Sequence, residues 1–176
     1  MKNTFKKLLL TSSIIVLMHS TYSFANNSAN AYRKNDGMVN AQHSEAEDAL
    51  NNAQEFLEKN LFNRNLLPKA IKKFDLAIQI NPDNCRAYLG KANAYRMLAD
   101  YKDVVKSVQD ASSCESCKTT DIAYYMNSSL SIGQGLYYVG KYTDAIKVYN
   151  FALNVQPDNR DILNAKNKAE QAKGSK

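Results

Sequence analysis

The residues with most chemistry to offer are three cysteines. Cys114 and Cys117 stand in the run Cys114-Glu115-Ser116-Cys117, a C-x-x-C spacing, and Cys85 lies well ahead of them. Thiols at this spacing could exchange electrons as a redox pair, hold a metal ion, or close a disulfide. The redox motif belongs ahead of a helix in a βαβ setting, and no alternating β pattern occurs here. Two or three thiols with no neighbouring histidine make a poor metal site. The histidines are His19 and His43, too few for a His–carboxylate nucleophile system. Gly-rich phosphate loops and H-E-x-x-H are missing, and the acids are spread along polar faces. The expectation is no catalytic residue, no cofactor and no metal, hence not an enzyme. A structural disulfide is the stronger reading of the cysteines. A thiol–disulfide protein working through Cys114 and Cys117 is the alternative.

The elements around these residues are organised by one stretch, Gly140 to Asn159 (GKYTDAIKVYNFALNVQPDN). Tyr142, Ala145, Ile146, Tyr149, Ala152, Leu153 and Val155 recur at gaps of three and four, which marks one stripe of a helix. Small Ala145 and Ala152 flank the ring of Tyr149, a face that lets a second helix come close. Pro157 ends the helix. The same pattern stands earlier in the chain, where Ala70, Phe74, Ala77 and Pro82 match Ala145, Tyr149, Ala152 and Pro157 at one constant offset. A fainter copy, Val104, Val108 and Ala111, follows Ala70, Phe74 and Ala77 at a single shorter offset. The step from that copy to Ala145 is slightly longer, one period plus a short insertion.

The shorter offset, a period of about 34 residues with an A-x3-F-x2-A core and a following Pro, resembles the tetratricopeptide repeat (TPR), a helix–turn–helix unit. The first helix of such a unit carries W-x2-L-G-x2-Y. Tyr88, Lys91, Ala92 and Tyr95 occupy those places in the middle repeat, and Ser129, Ile132, Gly133 and Leu136 in the last. Lys91 and Ser129 depart from the pattern. The resemblance covers Glu45 to Lys173 and implies an all-α, right-handed α-solenoid of about three TPR helix hairpins plus a C-terminal capping helix. The hairpins fall at about 44–82, 84–113 and 121–156, and the capping helix at 159–173, within a domain of 44–173 followed by a tail at 174–176. Ser44 with Glu47 reads as a capping box for the first helix. Asp83-Asn84, Asp100 and Asp158 or Asn159 mark later helix starts.

In a hairpin of this kind, Cys85 starts one helix, and Cys114 and Cys117 lie just past the end of its antiparallel partner. A bond from Cys85 to either would clamp the middle repeat, and a local Cys114–Cys117 bond is the other pairing. First helices of TPR hairpins line a groove that takes peptides or partner helices. The resemblance therefore offers Arg86, Leu89, Asn93 and Arg96 on one helix, and Asn127, Leu130, Gln134 and Tyr137 on the next, as partner-binding residues. Asn93 and Gln134 would bond a peptide backbone and the arginines an acidic group. Some TPR domains grip a C-terminal carboxylate with Lys and Asn; the matching places hold Leu89, Asn93, Gly90, Asn127 and Ser131. Asn93 alone fits, so that clamp is not expected.

The N-terminus reads as targeting. Lys2, Lys6 and Lys7 precede an apolar run, Leu8 to Met18, and Ser23-Phe24-Ala25 offers small residues for cleavage after Ala25. This pattern predicts a bacterial secretory signal peptide over 1–25, a periplasmic or secreted product, and no stable membrane insertion once it is removed. Residues 26–43 are polar and without period, a leader segment. Loss of three lysines and no acids takes the net charge from +6 to +3. That is too little for a nucleic-acid partner, which needs a concentrated basic patch. The function expected is a non-enzymatic protein-interaction module of the cell envelope. Self-association through a second copy of the chain is a third reading.

Overall fold

The computed structural model describes residue 41 and residues 43–175. The segments expected to be a signal peptide (1–25) and, nearly all of it, a leader (26–43) lie outside the described residues. The chain divides into two units at His43/Ser44, and the second unit carries the repeats.

In that unit seven helices succeed one another with short turns: α1 (residues 44–59 within this unit), α2 (Leu67–Ile80), α3 (Cys85–Leu98), α4 (Tyr101–Ser113), α5 (Ile122–Tyr138), α6 (Tyr142–Val155) and α7 (Arg160–Gly174). No strand occurs among the described residues. Consecutive helices pack as hairpins. Across hairpins α3 meets α5, α5 meets α7 and α4 meets α6, so α3, α5 and α7 share one layer and α4 and α6 the other. This is an all-α solenoid of the expected kind.

The turns follow from local chemistry. Pro68 stands in the first turn of α2, where its missing N–H forfeits no bond. The side-chain oxygens of Asn84 and Asn159 accept the N–H of Ala87 and Ile162 at 3.1 Å, closing the starts of α3 and α7. Asp100 caps α4 more loosely, at 3.4 Å to the Asp103 N–H. Ala99 terminates α3 in the left-handed region, φ 63°. Ser44 is not an N-cap: residues 41 and 43 are already helical, because nothing immediately ahead of Ser44 breaks the helix.

Packing repeats with the sequence. Phe74, Val108 and Tyr149 are each buried at matching places on α2, α4 and α6. Both aromatic rings of this set lie on glycine. The ring of Tyr149 crosses Gly133 of α5 so closely that a Cβ there would come within 2.6 Å of its Cζ. The Phe74 ring crosses Gly90 of α3 in the same way, at 2.5 Å. Of the two departures from the repeat pattern, one has a local explanation. Lys91 reaches back to Asp75 of α2 at 2.6 Å. Ser129 is buried one turn after the equally buried Tyr125.

The insertion between α4 and α5 is tied to the α2–α3 turn. Cys85 is bonded to Cys117, both fully buried, while Cys114 is a free buried thiol. The Asp83 carboxylate accepts the backbone N–H of Glu115 at 2.6 Å and of Ser116 at 3.1 Å. The Ser116 hydroxyl donates to the Asp83 carbonyl and accepts the N–H of Cys85 at 3.2 Å.

Gly133→Ala should lower the free energy of unfolding by about 1–3 kcal/mol through overpacking against Tyr149, read as a shifted urea midpoint. Cys117→Ser should lower it by about 3–4 kcal/mol, because the opened loop regains its chain entropy; an unchanged midpoint would count against the clamp.

Candidate partner-binding groove

The layer containing α3 and α5 is the face on which partner-binding residues were expected. Its first cleft, of about 650 Å³, runs across α1, α3 and α5 and includes Arg86, Asn93 and Arg96 with Tyr124. Leu61 and Phe62, from the turn after α1, form its other edge, and Phe62 is fully exposed. That turn is fixed to α3 by a bond from the Arg64 guanidinium to the Leu98 carbonyl. A second cleft of about 310 Å³ lies between α5 and α7 and includes Leu130, Gln134 and Tyr137. The sequence-derived positions therefore divide between two sites. Asn127 is exposed but borders neither cleft.

Leu89 is a correction. It is fully buried, in the core cluster that also holds Met126 and Ile132 of α5. The sequence stripe assumed one packing face for α3. In the solenoid α3 is covered by α2, α4 and α5, so little of its circumference remains open.

The two arginines differ. Arg86 Nε donates to the Asp121 carboxylate at 2.9 Å, and its guanidinium lies over the Tyr124 ring at 5.4 Å from the centroid. Arg96 has no carboxylate partner among the described residues, and its Nε is shielded from solvent without an acceptor. Its side chain extends over Gly135 of α5, where a Cβ would stand 3.1 Å from its Cδ. Sequence reasoning missed Phe62, Tyr124 and Gly135. Phe62 and Tyr124 were legible as large apolar side chains beside helix starts and ends, but not as neighbours.

The cysteines do not form the pair that a redox reading needs. Cys117 is bonded to Cys85, the clamp expected of the middle repeat, so the alternative Cys114/Cys117 couple is not the bond. Burial, reinforced by Asp83 and Asp110, pushes the Cys114 thiol up to about 11. A protonated thiol is a weak nucleophile. No group of three or more metal-ligating side chains occurs among the described residues, and no described helix is long and apolar enough to cross a membrane.

Helical hairpins of this geometry are matched by similarity to known repeat proteins. The chain is 32% identical over 109 residues to small glutamine-rich tetratricopeptide repeat-containing protein 2 of Saccharomyces cerevisiae, covering 58% of this chain and 30% of that one. It is 28% identical over 103 residues to the Hsp70-Hsp90 organizing protein of Triticum aestivum, covering 58% of this chain and 16% of that one. Over these residues the chain is similar to TPR proteins. No protein-family model matches the chain, and it spans less than a third of the length of these two curated relatives.

Iodoacetamide should leave Cys114 of the native chain unlabelled at pH 8 and modify it rapidly in urea, as mass spectrometry would record. Stability should also fall as pH rises from about 9 to about 11. Over that window the unfolded chain gives up the Cys114 proton while the folded chain keeps it.

Proposed function

We propose that this protein is a non-enzymatic TPR adaptor of the bacterial cell envelope that holds an extended segment of a partner protein across α1, α3 and α5. The observation that carries the reading is the open cleft on those helices, where exposed rings stand beside arginine and amide side chains. Apolar contacts with a few fixed polar groups suit a peptide with alternating anchors. The second cleft, at Leu130, Gln134 and Tyr137, extends the same layer toward α7 and would take the continuation of that segment.

Envelope location is supported by the charged and apolar pattern of residues 1–25 and by the Cys85–Cys117 bond, since disulfides persist in oxidising compartments. The relatives carry names that speak of tetratricopeptide repeats and of organising Hsp70 and Hsp90. They favour a protein partner over a small molecule. Redox exchange is the weaker reading, because the free thiol is buried and protonated.

A pull-down from envelope extract, read by mass spectrometry, tests the proposal. Arg96→Glu and Tyr137→Ala should each weaken capture of the same partner about tenfold or more, as loss of a charged or aromatic anchor does, with far-UV circular dichroism unchanged. Equal capture by both variants would refute the groove assignment.

A further inference from the structure

The cleft between α5 and α7 is walled by polar side chains that the described fold leaves unused. Tyr149 is the most buried of them, 1% exposed and yet part of the lining. Its ring is held against Gly133, while its hydroxyl is neither sealed from solvent nor hydrogen-bonded among the described residues. The polar end of a buried ring therefore faces the cleft. Burial pushes this hydroxyl up to about 12, with Tyr138 and Tyr137 adding to the shift, so it keeps its proton and both donates and accepts. Gln134 of α5 and Asn164 of α7 add amides from opposite walls, and Asp161 adds a carboxylate. None of these three has a side-chain hydrogen bond among the described residues.

We infer that this cleft binds a neutral sugar, one or two pyranose rings, with the Tyr149 hydroxyl at its floor and a tyrosine ring as its apolar side. The match is chemical. A sugar hydroxyl both donates and accepts, as do a tyrosine hydroxyl and the two ends of an amide, and a carboxylate accepts from two hydroxyls at once. The C–H face of a pyranose ring is apolar and suits the negative face of an aromatic ring. Tyr137 and the 82% exposed Tyr138, whose rings meet edge to face at 5.6 Å, supply that surface. The volume, about 310 Å³, stands at the low end for small-molecule sites, roughly 300–1,000 Å³. Charge disfavours the competitors. A phosphate would meet the Asp161 carboxylate, with Lys168 alone to offset it. A free amino acid carries its two charges side by side, whereas Asp161 and Lys168 stand two turns apart on α7, about 10 Å along its axis. This inference goes beyond the peptide-binding reading and does not depend on it: a sugar and the continuation of the segment would occupy this cleft in turn.

Titration of the full chain with maltose, cellobiose and N,N′-diacetylchitobiose, followed by proton–nitrogen correlation NMR, tests this. At least one of these should bind with a Kd on the order of 1 mM or tighter and shift the side-chain amides of Gln134 and Asn164. Tyr149→Phe removes one hydroxyl and keeps the ring on Gly133; it should weaken that affinity about three- to tenfold. Asn164→Leu, on the exposed side of α7, should do the same, and decides the matter should Tyr149→Phe lose helicity. An affinity that both variants retain overturns the site. Failure of all three disaccharides to bind overturns it too, while leaving the peptide-binding reading to its own pull-down. Equal shifts of the two amides with glutamate or inorganic phosphate overturn the sugar in favour of a charged ligand.

Discussion

The solenoid depends on aromatic rings packed against helix backbone at glycine. Phe74 over Gly90 and Tyr149 over Gly133 put a large buried ring where the facing helix has no Cβ. Burying such a ring contributes roughly 2–3 kcal/mol, but its placement matters more than its area. The ring sets how closely the two helices approach, and hence where each first helix stands relative to the next. The clefts on α1, α3, α5 and α7 inherit their width from these contacts. In the middle hairpin the ring is replaced by Val108, fully buried with Ala92 in the same core cluster. A smaller side chain fixes the spacing less firmly.

That same hairpin carries the covalent link. The Cys85–Cys117 bond and the Asp83–Ser116 hydrogen bonds act on one region, joining the α2–α3 turn to the insertion before α5. The effect reaches the cleft through two short steps. Arg86 follows Cys85 on α3, and its partner Asp121 is the residue before α5. The wall formed by Arg86 and Tyr124 is thus positioned by the clamp.

Much of this architecture was legible in the chain because helix packing writes a period. The spacing of Ala70, Phe74 and Ala77, repeated at Ala145, Tyr149 and Ala152, identified both the helices and their buried faces. Asn84 and Asn159 were legible as caps because a cap needs only its own neighbours in sequence. The cysteine partners were reduced to one hairpin end but not to one pair, since Cys114 and Cys117 are separated by less than a helical turn. The groove was harder to read. Leu89 fell on the expected stripe, yet an inner helix covered on several sides has few open positions, and their identity depends on three other helices. Phe62 lies in an irregular turn with no periodicity to mark it. Gly135 matters only because an arginine from another repeat passes over it, a relation that no local pattern records. Asp83 reads with Asn84 as a helix start, whereas its carboxylate serves the distant loop at Glu115 and Ser116.

Stacked repeats ordinarily release length hairpin by hairpin when their two ends are drawn apart. Here the bonded cysteines have a sequence separation of 32, and a fully extended chain of that span would measure roughly 110 Å. That length stays withheld from any stretching until the sulfur bond is broken, and it lies in the centre of the array. A protein built this way would yield elastically at its outer hairpins while its middle remained of fixed size under tension.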